Sequence, residues 1–103
     1  MPPQERLEPK VRREQILAAA VTLAAKVGYK NITREAITDR AGCSPRLLNY
    51  YYSTMDQLKR DVMRHAIKER VLAIVAQGLT AKDPHAMKAP DDLKKLAAAT
   101  LTS

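Results

Sequence analysis

The chain has 103 residues and carries eighteen Lys and Arg against eleven Asp and Glu, a net charge of +7. That length bounds a single domain with a modest core. The single cysteine, Cys43, excludes an internal disulfide framework. Four tyrosines are the only aromatic residues, so the core must be built from Leu, Ile, Val, Ala and Met, a palette that favours helices and predicts an all-α fold. No apolar run approaches the about 18 residues that a membrane span needs. The polar start MPPQERLEPK lacks the apolar centre of a signal peptide. With the lone thiol, this predicts a cytoplasmic protein.

In chain order, residues 1–9 hold three prolines and read as a flexible arm. Ile16, Leu17, Ala20, Leu23, Ala24 and Val27 then recur at three- and four-residue steps, which predicts a first helix from about Lys10 to Val27, stopped by Gly28. Thr33 caps a short second helix with Ala36, Ile37 and Ala41 on its inner face. The turn Ala41-Gly42-Cys43-Ser44 follows. Gly42 suits a left-handed helix end, Ser44 a cap, and Pro45 the first position of a third helix to about Tyr51. Leu48 and Tyr52 lie one turn apart toward the core, while Arg46, Asn49 and Tyr50 point outward.

Ser53, with Asp56 three residues on, resembles a capping box for a longer fourth helix that runs to about Gln77 and ends near Gly78. Its stretch Val71-Leu72-Ala73-Ile74-Val75-Ala76 is apolar all round and needs cover on every side. A second subunit is the expected source, which makes Val71, Leu72, Ile74, Val75 and Leu79 the expected dimer interface. Residues 79–89 read as a loop. Pro90, Asp91 and Asp92 open a short C-terminal helix whose one face is Leu93, Leu96, Ala97, Thr100 and Leu101. The expected organisation is an arm over 1–9, a helical unit over 10–57 and a minimal dimerisation region over 58–103.

Two helices joined by a Gly-containing turn form a helix-turn-helix signal, whose second helix usually enters the DNA major groove. The charge agrees: residues 1–60 hold eleven basic and six acidic side chains. That excess suits phosphate binding as well as it suits a solvated basic surface, and the helix-turn-helix pattern tips the balance toward double-stranded DNA.

Gly28-Tyr29, Thr33, Ile37, Ala41-Gly42, Leu48, Tyr50-Tyr51-Tyr52 and Asp56-Gln57-Leu58 together resemble the DNA-binding domain of the TetR family of bacterial repressors, over roughly residues 12–62. The resemblance implies a homodimeric regulator that represses by occupying an inverted-repeat operator. The family normally adds a long helical ligand-binding domain. The residues after the resemblance are too few for one, so no small-molecule effector is expected, and control falls to protein concentration or a partner. A fragment of a longer ligand-responsive repressor is one alternative, and a basic protein-interaction module of the antitoxin or partition-adaptor kind is another.

Arg46 is the first candidate for a base contact, because its fork matches guanine O6 and N7; Asn49 matches adenine N6 and N7. Leu47 fits a thymine methyl or the core. By the resemblance Tyr50 and Tyr51 contact the sugar-phosphate backbone, while Tyr52 reads as core. Thr33, Arg34, Ser44, Ser53 and Thr54 lie at helix N-termini, where backbone N–H groups favour phosphate. Lys10, Arg12 and Arg13 can reach the backbone or minor groove as basic arms do. Cys43 reads as buried filler. His65 and His85 are isolated, no glycine-rich phosphate loop exists, and Asp91-Asp92 suits the helix dipole better than a metal. Neither an enzyme nor a cofactor is expected.

Overall fold

The computed structural model describes residues 9–102; the expected arm therefore lies outside the described residues except for Pro9, which occupies the first turn of a helix. Seven helices follow among the described residues: α1 Pro9–Val27, α2 Arg34–Ala41, α3 Pro45–Tyr51, α4 Met55–Glu69, α5 Leu72–Thr80, α6 Pro84–Met87 and α7 Asp91–Thr102. The fold is all-α, as the composition predicts.

The first three helices start and stop where their local chemistry says. Gly28 takes φ 99° at the end of α1, and Gly42 takes φ 69° at the end of α2. Both values lie in the left-handed region that only glycine enters without strain. Ile16, Ala20 and Ala24 of α1 are buried as expected, with Leu17 and Leu23 packed at the edge, whereas Val27 is exposed.

The second half departs from the sequence reading. The cap of α4 is Thr54, not Ser53: the Gln57 N–H donates to Thr54 Oγ1 at 3.2 Å. Thr54 has Gln57 three residues on, so the capping pattern is shifted by one residue. The long fourth helix does not exist. It breaks at Arg70, which adopts φ 57°, and Val71 N–H donates to Ala66 O at 2.8 Å across the break. That is a Schellman ending with an arginine in the place usually held by glycine.

Helix α5 ends in the same way at Lys82, φ 59°, with Asp83 N–H donating to Gly78 O at 2.8 Å. Gly78 is therefore not a helix end but an internal residue of α5. The expected loop over 79–89 contains the end of α5 and all of α6, which Asp83 caps through Oδ1 to His85 N at 2.8 Å.

These breaks let the chain double back. Helix α5 packs chiefly on α7 and also touches α4, α6 and α1. Ile74 and Val75 are fully buried inside the one chain, and Leu93 and Ala97 of α7 are buried with them. The cover expected from a second subunit is thus supplied by α7, which is why Ile74 and Val75 present no surface; Val71, Leu72 and Leu79 remain partly exposed. On α7 itself, Leu96 and Leu101 lie outside the buried face that was expected to include them. One hydrophobic cluster runs from Ile16 to Ala97.

The two halves are also tied by polar links. Gln77 donates to Ala24 O at 3.0 Å and accepts from Tyr29 N–H at 2.8 Å, which satisfies the end of α1. The Tyr29 hydroxyl donates to Asp83 Oδ2 at 3.0 Å. Burial, followed by that neighbouring carboxylate, pushes the Tyr29 hydroxyl up to about 12.

Candidate nucleic-acid interface

The interface is built on α2, its turn and α3. Thr33 Oγ1 accepts from Ala36 N–H at 3.2 Å, and Ser44 Oγ accepts from Leu47 N–H at 3.1 Å. Each hydroxyl keeps its own hydrogen free to donate. Pro45 sits in the first turn of α3, where its missing N–H costs nothing. Leu48 at 0% exposure and Tyr52 at 2% anchor the inner face of α3.

The opposite face carries exposed Arg46, Asn49 and Tyr50. Tyr50 is 77% exposed, unusual for a large aromatic ring in so small a protein. It meets the half-buried Tyr51 edge-on, with ring centroids 5.0 Å apart. Leu47 is half-buried. With Ser44, Arg46, Tyr50 and Tyr51 it lines a shallow cavity of about 360 Å³ on the outward side of the helix.

Several of the expected contact residues are engaged within the chain. Arg34 donates to Asn49 Oδ1, and its other nitrogen donates to Ser53 O at 3.2 Å, linking the start of α2 to α3 and to the loop before α4. As held, Asn49 keeps its NH₂ group and the second lone pair of Oδ1 for a partner outside the chain. Ser53 Oγ donates to Gln57 Oε1 at 3.0 Å.

Arg13 is placed differently from Lys10 and Arg12. Its guanidinium donates to Asp61 Oδ2 at 3.1 Å and to the Tyr52 hydroxyl at 3.4 Å, and it lies 5.3 Å from the centre of the Tyr52 ring. It braces α1 against α3 and α4. Lys10 is exposed at the start of α1. Arg12 is half-buried near Cys43, opposing the rise that burial imposes on the thiol. Cys43 stays a protonated filler packed against the core, in line with expectation.

Sequence reasoning missed a second constellation. Arg60 and Arg64 of α4 share a cavity with His85 of α6 and with Arg13. Only the four-residue spacing of the two arginines was visible in the sequence; the approach of His85 depends on the unforeseen break at Arg70. Among the described residues, no group of three or more His, Cys, Asp or Glu could hold a metal ion. No helix there is long and apolar enough to cross a membrane.

Two capped helices joined through a left-handed glycine, with the second helix offering a polar and aromatic outer face, define a helix-turn-helix domain. Residues 16–62 match the family described as bacterial regulatory proteins, tetR family. The chain belongs to that family through this N-terminal domain. It is similar to the HTH-type transcriptional regulator BetI of Brucella canis, 31% identical over 83 residues that make up 81% of this chain and 41% of the relative. The BetI regulator of Brucella anthropi is 33% identical over 67 residues, 65% of this chain and 34% of the relative. That of Vibrio vulnificus is 30% identical over 61 residues, 59% of this chain and 31% of the relative. The chain thus spans about two fifths of the length of the first of these relatives. No solved structure matches it.

Proposed function

We propose that the chain is a sequence-specific double-stranded DNA-binding regulator, a repressor acting as a homodimer on an inverted-repeat operator. The observation that carries this is the outer face of α3, where Arg46 and Tyr50 stand exposed on a helix fixed by the Ser44 cap and the buried Leu48. Arg46 reads a guanine edge, and Leu47 packs against a thymine methyl. Asn49 reads an adjacent base with the amide that Arg34 orients. Lys10, Arg12, Thr33, Ser44, Tyr50, Tyr51 and Thr54 take the backbone, and Ser53 contributes through its main chain.

A seven-residue recognition helix reads only a few base pairs, so a second copy is needed for a useful site. Its contact surface draws on Val71, Leu72 and Leu79, the part of the expected interface left partly exposed, together with exposed Leu96 and Leu101. Arg46→Ala tests the reading: it costs about 1–3 kcal/mol on the selected site and clearly less on random duplex. Equal losses on both would reduce Arg46 to a phosphate contact. Duplexes selected from a random pool are expected to be inverted repeats with half-sites one helical turn, or a multiple, apart.

A second reading keeps the same interface within a longer ligand-responsive repressor. The 41% coverage of the Brucella canis relative favours it. The length of the open reading frame in the source gene decides between the two.

A further inference from the structure

Helix α4 carries Arg60 and Arg64 one turn apart on its outer face, both exposed. Between this face, Arg13 of α1, Tyr51 of α3 and His85 of α6 lies a cavity of about 420 Å³. Its lining holds three guanidinium groups and one carboxylate, Asp61. That carboxylate is already engaged. Asp61 Oδ2 accepts from Arg13 at 3.1 Å and from the Tyr52 hydroxyl at 2.9 Å. Its other oxygen stands 4.0 Å from Arg64 Nη1, beyond hydrogen-bond length. Arg60 has no carboxylate within ion-pairing distance among the described residues.

Arg13 pairs the one negative group closely, Arg64 shares it only at 4.0 Å, and Arg60 not at all, so the lining of the concave space keeps a net positive charge. The ring of His85 adds a further hydrogen-bond donor. Planar donor forks converging on a cavity suit a tetrahedral dianion, which guanidinium groups grip through paired N–H bonds. The volume falls within the range of small-ligand sites.

We propose that this cavity is a phosphate site, taking either a small phosphate ester or a backbone phosphate flanking the operator. It is separate from the base-reading face, yet it borders it: Tyr51 belongs to both linings. Gln57 lines the cavity and accepts from Ser53 at the start of α4. Occupancy by a free ester would therefore press on the loop that Arg34 also holds.

The experiment uses the full chain and the double variant Arg60→Gln/Arg64→Gln, whose two positions are exposed and leave the core intact. Inorganic phosphate is titrated against chloride at matched ionic strength, with the His85 side-chain resonances, present in both proteins, as the readout. A saturable response specific to phosphate, weakened about tenfold or more in the variant, supports a free-ester site. In parallel, the salt dependence of duplex binding is measured. A slope reduced by about 0.9 in the variant, from the one phosphate that both arginines hold, assigns the site to the DNA backbone. The phosphate arm does not depend on DNA binding, whereas the duplex arm rests on the proposed function; failure of the random pool to yield any preferred duplex would sink that function without touching the phosphate arm. A wild-type chain that treats phosphate as it treats chloride, together with an unchanged slope, overturns the proposal.

Discussion

The two halves of the molecule make their turns by different means. From Pro9 to Tyr52, each helix is bounded by residues whose own chemistry demands it: Gly28 and Gly42 at left-handed positions, and Thr33 and Ser44 as caps. From Met55 to Thr102, Arg70 and Lys82 hold the left-handed positions, while the one glycine of that half sits inside a helix. A left-handed conformation is unfavourable for any residue with a Cβ. It persists at Arg70 and Lys82 because packing on the far side makes it worthwhile, with α5 seated against α7, α4 and α6. The first half writes its geometry locally, and the second half obtains it from its tertiary contacts.

If that contrast is right, the most damaging change lies where the second half packs closest. A Cβ at Gly78 would meet Met63 Cε at 2.5 Å and Ala86 Cβ at 2.7 Å. The methionine end can move aside; Ala86 Cβ is fixed to the backbone of α6. Gly78→Ala improves helix propensity by up to about 1 kcal/mol, yet it forces α6 outward. Gly78→Val adds two further carbons and should destabilise the fold by about 1–3 kcal/mol or more. Urea denaturation reads this directly. An unchanged midpoint in Gly78→Val would mean that α5 does not need its close approach.

Next in size is the Tyr29–Asp83 link between the halves. Tyr29→Phe removes a hydrogen bond to a charged acceptor and should cost about 1.5–3 kcal/mol near neutral pH. The pH dependence sharpens the test. The folded-state value, raised to about 12, lies above the usual value of about 10, so the unfolded chain gives up the proton first. The contribution of Tyr29 is therefore complete below pH 10 and fades as pH rises toward 12. Wild-type stability should fall faster over that window than that of Tyr29→Phe. Parallel curves would show that the hydroxyl is not held as described.

The same contrast explains what could be read in the sequence. The stop at Gly42 and the caps Thr33 and Ser44 are local signals, and they placed α2 and α3 correctly. Choosing Ser53 over Thr54 was an error of one position between two good capping residues; Gln57, three after Thr54, is the feature that decides it. Nothing local marks Arg70 as a break, because arginine is a good helix former. The apolar run 71–76 does call for cover all round, but periodicity cannot say whether a second copy or the chain's own α7 provides it. At the interface, the outward face of Arg46, Asn49 and Tyr50 follows from helical spacing alone. The Arg34–Asn49 contact and the engagement of Arg13 by Tyr52 and Asp61 join residues 15, 39 and 48 positions apart, beyond the reach of any local pattern.

The side-chain caps, one in each half, should behave as caps do in isolation. Ser44→Ala and Thr54→Ala each remove the side-chain acceptor for one N–H, Leu47 and Gln57 respectively, and should cost about 1 kcal/mol apiece. The positions are far enough apart in role that the double variant should lose close to the sum. Ser44→Ala should also weaken operator binding through a loosened α3, whereas a loss of stability with operator affinity intact would separate the cap from the reading face.

Opposite signs, ending in the small gain expected at Arg70, separate the two halves most cleanly. Gly42 and Arg70 share one backbone state, φ 69° and φ 57°, so exchanging their residue types should move stability in opposite directions. Gly42→Ala finds open space for its Cβ and should lose only the conformational term, about 1–2 kcal/mol. Arg70→Gly relieves that strain, but it gives up the 2.9 Å ion pair with Asp92 on α7 and adds freedom to the unfolded chain. The pair is exposed and screened by solvent, so its loss weighs little and the net should be a small gain. High salt should raise the advantage of Arg70→Gly, because screening already removes the ion pair from the wild type. A clear loss of stability in Arg70→Gly at high salt would mean that the arginine holds the break by some means other than that pair, and that the second half is more locally encoded than its packing implies.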